Sequence, residues 1–141
     1  MSERSERTSR TARTADVDHG PFWAASARGE LVVQRCRTAG HVLHLPRGYC
    51  ARCDTFDTEW HAVSGDATVH TWTVVEHTVD PEFPAPYTLA LVELLDPPGV
   101  RFVTHLAGRV DLEPGSPMAL RFERRGGRAV PCWVPSPGGG R

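Results

Sequence analysis

The chain has 141 residues, a formal net charge of −1 and a pI near 6.6, so its overall charge does not draw it to nucleic acid or an anionic membrane. That length suits one small domain or two very small ones. It contains no apolar run of about 18 residues to span a membrane and no N-terminal apolar block to act as a secretory signal, so a cytoplasmic location is expected.

Residues 1–17 are dominated by Ser, Thr, Arg and Glu. Arg4, Arg7, Arg10 and Arg13 recur every third position, but Glu3, Glu6 and Asp16 dilute the charge, and the segment reads as a solvated, disordered tail. The last residues, 136–141, are mostly glycine and read the same way. Residues 18–62 are expected to form a helix and a small ribbon. Asp18 is placed to cap the helix, Pro21 suits its first turn, Phe22, Trp23 and Ala27 give it an apolar side, and Gly29 ends it. A strand through Leu31, Val32 and Val33 then leads to Cys36, and a return strand over 42–45 precedes Pro46 and Gly48.

Cys36, Cys50 and Cys53 occupy three of the four positions of a zinc-ribbon pattern, Cys36-x2-Ala39-x10-Cys50-x2-Cys53, with Ala39 where the fourth ligand belongs. In a reducing compartment such cysteines point to metal or free thiols rather than disulfides. Two structures stay open at this point. In one, zinc is held by the three cysteines with a fourth donor from His41, His44, Asp54 or water, although the offset of His41 from position 39 is expected to turn its side chain away. In the other, metal is lost and Leu43, Leu45, Tyr49, Phe56 and Trp60 hold the ribbon by packing. A ribbon of about 30 residues buries little apolar surface and ordinarily leans on its metal. Cys132, beside Trp133, reads as a small core hydrophobe.

From residue 63 to 135 the pattern changes to longer strands rich in Val, Thr, Leu and aromatics, expected over 67–78, 87–95, 101–107, 118–123 and 129–134. Proline and glycine turns separate them: Pro81 to Pro86, Pro97-Pro98-Gly99, Pro114-Gly115 and Gly126-Gly127. Five strands at this spacing predict a mainly β fold, a five-stranded OB barrel, with 108–112 linking its third and fourth strands.

The ordered set Phe22-Trp23, Gly29-Glu30-Leu31, Arg35-Cys36-x2-Ala39-Gly40, Cys50-x2-Cys53, Glu59-Trp60, Ser64-Gly65, Trp72-Thr73-Val74-Val75, Pro86-Tyr87, Leu91-Val92-Glu93-Leu94 and Gly108 resembles the domain-of-unknown-function family 35. The resemblance implies a rubredoxin-like zinc ribbon followed by an OB-fold, and a non-catalytic, accessory role beside acyl-CoA enzymes. Partners in that family are thiolases, thiolase-like condensing enzymes and acyl-CoA hydratase subunits, so a hetero-oligomer is implied. Ala39 departs from the family pattern at the second cysteine.

Phe22 and Trp23, two large rings on a short helix, are the expected partner contact. Arg101, Arg109 and Arg121, with Arg124 and Arg125 nearby, are candidates to bind the phosphates of a CoA thioester. The alternative function is a free-standing acyl-CoA-binding module. A single-stranded nucleic-acid module using Trp72, Phe102 and Phe122 as stacking platforms is a weaker third reading. Seven histidines invite acid–base chemistry, but no Gly-x-Ser-x-Gly elbow, phosphate loop or His-Glu-x-x-His motif accompanies them, and no catalytic residue is assigned.

Overall fold

Helix α1, Gly20–Ala27, opens the part of the chain that the computed structural model describes, residues 19–137. His19 is its N-cap residue; Asp18 and both expected tails lie outside the described residues, apart from Ser136 and Pro137. Gly29 ends the helix at φ +74°, where the N–H groups of Gly29 and Glu30 donate back to Ser26 and Ala25.

Three short strands follow: β1 (Leu31–Cys36), β2 (Val42–Leu43) and β3 (Thr58–Val63). They form an antiparallel sheet in the order β2-β1-β3, with Leu31 opposite Val63 and Gln34 opposite both Leu43 and Trp60. Strand β3 was not among the expected elements, because its mixture of Thr, Glu, Trp, His and Ala has no clean apolar alternation. Strand β2 stops two residues short of its expected end. His44 turns out of the ladder to donate from Nε2 to the Arg101 carbonyl at 2.8 Å, and Leu45 is left 71% exposed.

The remaining strands are β4 (Ala67–Val75), β5 (Tyr87–Leu94), β6 (Arg101–Ala107), β7 (Pro117–Arg125) and β8 (Arg128–Pro135), in the order β6-β5-β4-β7-β8. In β5, Thr88, Ala90, Val92 and Leu94 point inward and are buried, and the residues between them face out. The barrel interior also takes Val69, Met118 and Trp133, together with Leu31 and Val33 from the ribbon, so ribbon and barrel share one core. Trp72, Phe102 and Phe122 pack against that core, which removes the basis for reading them as stacking platforms.

The barrel is closed across β6 and β8 by a side chain rather than a ladder. Thr104 Oγ1 donates to the Trp133 carbonyl at 3.1 Å and accepts the Trp133 N–H at 2.8 Å. Trp133 is fully buried, and its Nε1–H donates to the Gly65 carbonyl at 2.7 Å. Gly65 sits between β3 and β4 at φ +81°, and a Cβ there would lie 2.5 Å from Leu120 Cδ2. The β7–β8 register, with Ser136 N–H donating to Pro117, turns the backbone nitrogens of Pro131, Trp133 and Pro135 toward the outer edge of β8. On β6 the corresponding outward positions are Arg101, Val103, His105 and Ala107.

Candidate metal centre

Cys36 ends β1, and the chain then makes a tight excursion in which Gly40 N–H donates to the Cys36 carbonyl and Cys36 N–H to the His41 carbonyl, both at 3.0 Å. Gly40 takes φ +70°, a conformation glycine adopts without penalty. The turn brings His41 back beside Cys36, and its backbone N–H donates to Cys36 Sγ at 3.3 Å. The expectation that His41 points away is therefore wrong. The excursion is longer than a two-residue knuckle, and an imidazole reaches further from the backbone than a thiol.

His41 Nδ1 lies 3.7 Å from Cys36 Sγ, 3.5 Å from Cys50 Sγ and 3.3 Å from Cys53 Sγ, and the Cys36 and Cys53 sulfurs are 3.9 Å apart. A zinc tetrahedron with the usual Zn–S and Zn–N bonds has edges of about 3.8 Å between sulfurs and about 3.5 Å between nitrogen and sulfur. All four donor atoms fall within 4.8 Å of one another, so the Cys3His set fits zinc. Four protein donors close the tetrahedron and leave no open position, which is the form of a structural site.

The thiols differ in acidity. Burial works to raise Cys36, but the N–H groups of Ala39 and His41 and the hydrogen bonds from Cys50 and Cys53 outweigh it and lower its pKa to about 7. Burial, with the same sulfurs, pushes Cys53 up to about 11. Cys36 thus reaches its thiolate, the form a metal requires, more readily than Cys53 does.

The second knuckle is held from outside the donor set. Buried Gln34 accepts at Oε1 from the N–H groups of Arg47 and Gly48, both at 3.0 Å, and Cys50 and Thr55 exchange backbone hydrogen bonds. Asp54 is not a ligand; it accepts from the Tyr49 hydroxyl at 2.5 Å. Nor is His44, whose ring meets Phe102 at 4.8 Å and whose pKa burial lowers against the opposing pull of the Arg101 carbonyl. Leu43 is buried beside the cysteines, but Leu45 and Phe56 do not pack inward as a metal-free ribbon would require. Phe56 is 81% exposed and touches only the Tyr49 ring among the aromatics, at 4.8 Å. These side chains lie on the ribbon surface because the donor cluster occupies its small interior.

The other expected site residues lie apart from this centre. Phe22 stacks on Phe102 at 6.1 Å, and Phe102 stacks on Trp133 at 5.0 Å, which docks α1 on the chain's own barrel. Trp23 meets Phe22 edge-on at 5.3 Å and lies under the Arg128 guanidinium; both rings stay half-buried. Arg101 pairs with Glu93 at 2.8 Å, and Arg109 pairs with Glu76 past the opposite end of β6. Arg121 is exposed in β7. The structure does not bring these three arginines together.

Two family models match consecutive stretches of the chain: the ChsH2 rubredoxin-like zinc ribbon domain over residues 23–59 and the ChsH2 C-terminal OB-fold domain over residues 60–123. A solved structure described as an Ltp2-ChsH2(DUF35) aldolase is 30% identical with a TM-score of 0.78, covering 88% of this chain and 98% of that one. The chain belongs to the DUF35 family. A DUF35 protein of unknown function from Sulfolobus solfataricus shares the fold alone, at 16% identity and a TM-score of 0.54 over 72% of this chain and 75% of that one. A probable enoyl-CoA hydratase alpha subunit from Thermomonospora curvata is 36% identical over 102 residues, 70% of this DUF35 chain. The match covers 31% of that relative, so the chain spans about a third of its length. Among the described residues, no helix is long and apolar enough to cross a membrane.

Proposed function

We propose that this DUF35 chain is a non-catalytic accessory subunit of a thiolase-like or other acyl-thioester enzyme, with zinc as a structural ion in its ribbon. The observation that carries the reading is the agreement in fold over nearly the whole of the chain from the Ltp2-ChsH2(DUF35) aldolase. The match to part of a protein named as an enoyl-CoA hydratase subunit supports the same class of partner. Large exposed apolar groups suit a protein that is completed by contact. Phe56 and Leu45 stand out from the ribbon, and Phe22 and Trp23 on α1 are only half-buried. The catalytic groups belong to the partner. Of the three arginines expected to meet CoA phosphates, Arg101 and Arg109 are already engaged by Glu93 and Glu76.

Co-expression tests this reading. The tagged full chain is produced with thiolase-like and hydratase-type enzymes from its own genome, and the mixture is resolved by size-exclusion chromatography with light scattering. Co-elution with one of them at fixed stoichiometry is expected, and Phe56→Glu should weaken it. A monodisperse monomer in every mixture, able to bind an acyl-CoA by itself, would favour the free-standing module instead.

A further inference from the structure

A groove of about 310 Å³ runs across the seam between β6 and β8 on the outside of the barrel. Its walls are apolar, with Val103 from β6 and Val130 and Pro131 from β8, and Phe83 stands over it from the segment joining β4 and β5. One end is polar, formed by His105, Glu123 and Arg125. In barrels of this class, ligands sit on the face of the second and third strands, between the first and fourth loops. Here those elements are β5, β6, the Phe83 segment and the β7–β8 hairpin.

Arg125 is held in place before any ligand arrives. Its Nη2 makes both of its hydrogen bonds, to Glu123 Oε2 at 3.2 Å and to His105 Nδ1 at 3.4 Å, and its guanidinium lies 5.0 Å from the Phe83 ring centre. Its other N–H groups have no hydrogen-bond partner among the described residues. A guanidinium only donates, so His105 Nδ1 accepts and the imidazole is neutral. Phe83 and Tyr87 flank that ring at 5.1 and 5.0 Å. At the polar end Arg125 and Glu123 form an ion pair, and Arg121 lies on the same outer face of β7, beyond the groove lining. Cys132, pushed up to about 11 by burial and by Glu123, is a neutral thiol and adds to the apolar wall.

We propose that this groove binds a small amphipathic carboxylate, its hydrocarbon body between Phe83, Val103 and Pro131 and its carboxylate on the uncommitted N–H groups of Arg125. The volume lies at the small end of ligand pockets, and a pre-positioned guanidinium beside an apolar wall selects an anion with a hydrocarbon body. This inference does not rest on the accessory-subunit reading.

The probes are 4-phenylbutyrate and its neutral counterpart 4-phenylbutan-1-ol, titrated into the zinc-loaded full chain and followed by 15N NMR. The acid should bind at least about tenfold more tightly than the alcohol, as expected for one charge-assisted contact, with shifts centred on Val103, His105 and Val130. Arg125→Gln should reduce the acid to the affinity of the alcohol. Val103 is 65% exposed, so Val103→Glu should keep a folded spectrum and abolish binding of the acid. Equal affinities for the two probes, shifts centred elsewhere, or undiminished acid binding by folded Val103→Glu would each overturn the proposal. The Val103 variant decides alone if Arg125→Gln fails to fold. Co-elution with an enzyme neither supports nor harms it, so the two readings fail separately.

Discussion

Replacing His41 with alanine removes one of four donors from the metal centre and leaves the three sulfurs in place. Structural zinc sites in small modules bind with about 10–16 kcal/mol at neutral pH. An even division among four ligands gives about 2.5–4 kcal/mol for the imidazole, or roughly a hundred- to a thousandfold in affinity. The three separations from His41 Nδ1 to the sulfurs match the nitrogen–sulfur edges of the zinc tetrahedron to within about 0.3 Å, so the imidazole is placed as a ligand. Competition with a chromophoric chelator measures the affinity directly. The wild type should hold one zinc per chain, and His41→Ala should lose it to chelator concentrations that the wild type resists. Equal zinc affinity in the two proteins would refute the assignment of His41. Absence of zinc binding by folded wild type would refute the site.

Removing the metal with a chelator should lower the thermal midpoint of the wild type by several degrees and that of His41→Ala by less, as read by differential scanning calorimetry. Trp133→Ala should cost about 3–5 kcal/mol in urea unfolding, because it empties the centre of the barrel; a loss below about 1 kcal/mol would contradict the packing described. Gly65→Ala combines a left-handed backbone, costing about 1–2 kcal/mol for an L-residue, with the Leu120 clash, so it should be more damaging than an ordinary loop change. His44 has its pKa lowered by burial, so it is neutral in the fold and takes up a proton on unfolding below its ordinary value near 6.5. Its contribution is therefore present at pH 7 and is lost as the pH falls toward 5. His44→Gln should show a shallower decline of thermal midpoint over that interval than the wild type, and parallel slopes would contradict this; protonation of the metal ligands is common to both proteins.

The barrel was legible because its strands alternate and its turns carry proline and glycine: all five expected strands are present, and the alternation of β5 is visible in the sequence as it is in burial. The ribbon was legible only through its cysteines. Its β3 has no periodic pattern, and it is fixed by pairing with β1 along its whole length rather than by its own composition. His41 was misjudged because ligand spacing was counted along the sequence, whereas the curl at Gly40 sets the distance through space. Leu45 and Phe56 are the packing groups that a metal-free ribbon would need, and nothing in one sequence distinguishes an apolar side chain that closes a core from one left outside. The groove at Phe83, Val103 and Arg125 joins four strands and a loop, so no local pattern could have announced it.

The prolines of β8 bear on how copies of this barrel can associate. Open-ended stacking of sheets needs two edges able to donate and accept along their length. Pro131 and Pro135 have no N–H, and that of Trp133 is already bound to Thr104, so β8 cannot template a neighbouring strand. The β6 edge carries no such block at Val103 and His105. Strand addition on the β8 side of this barrel is therefore closed, whatever the state of its other edges.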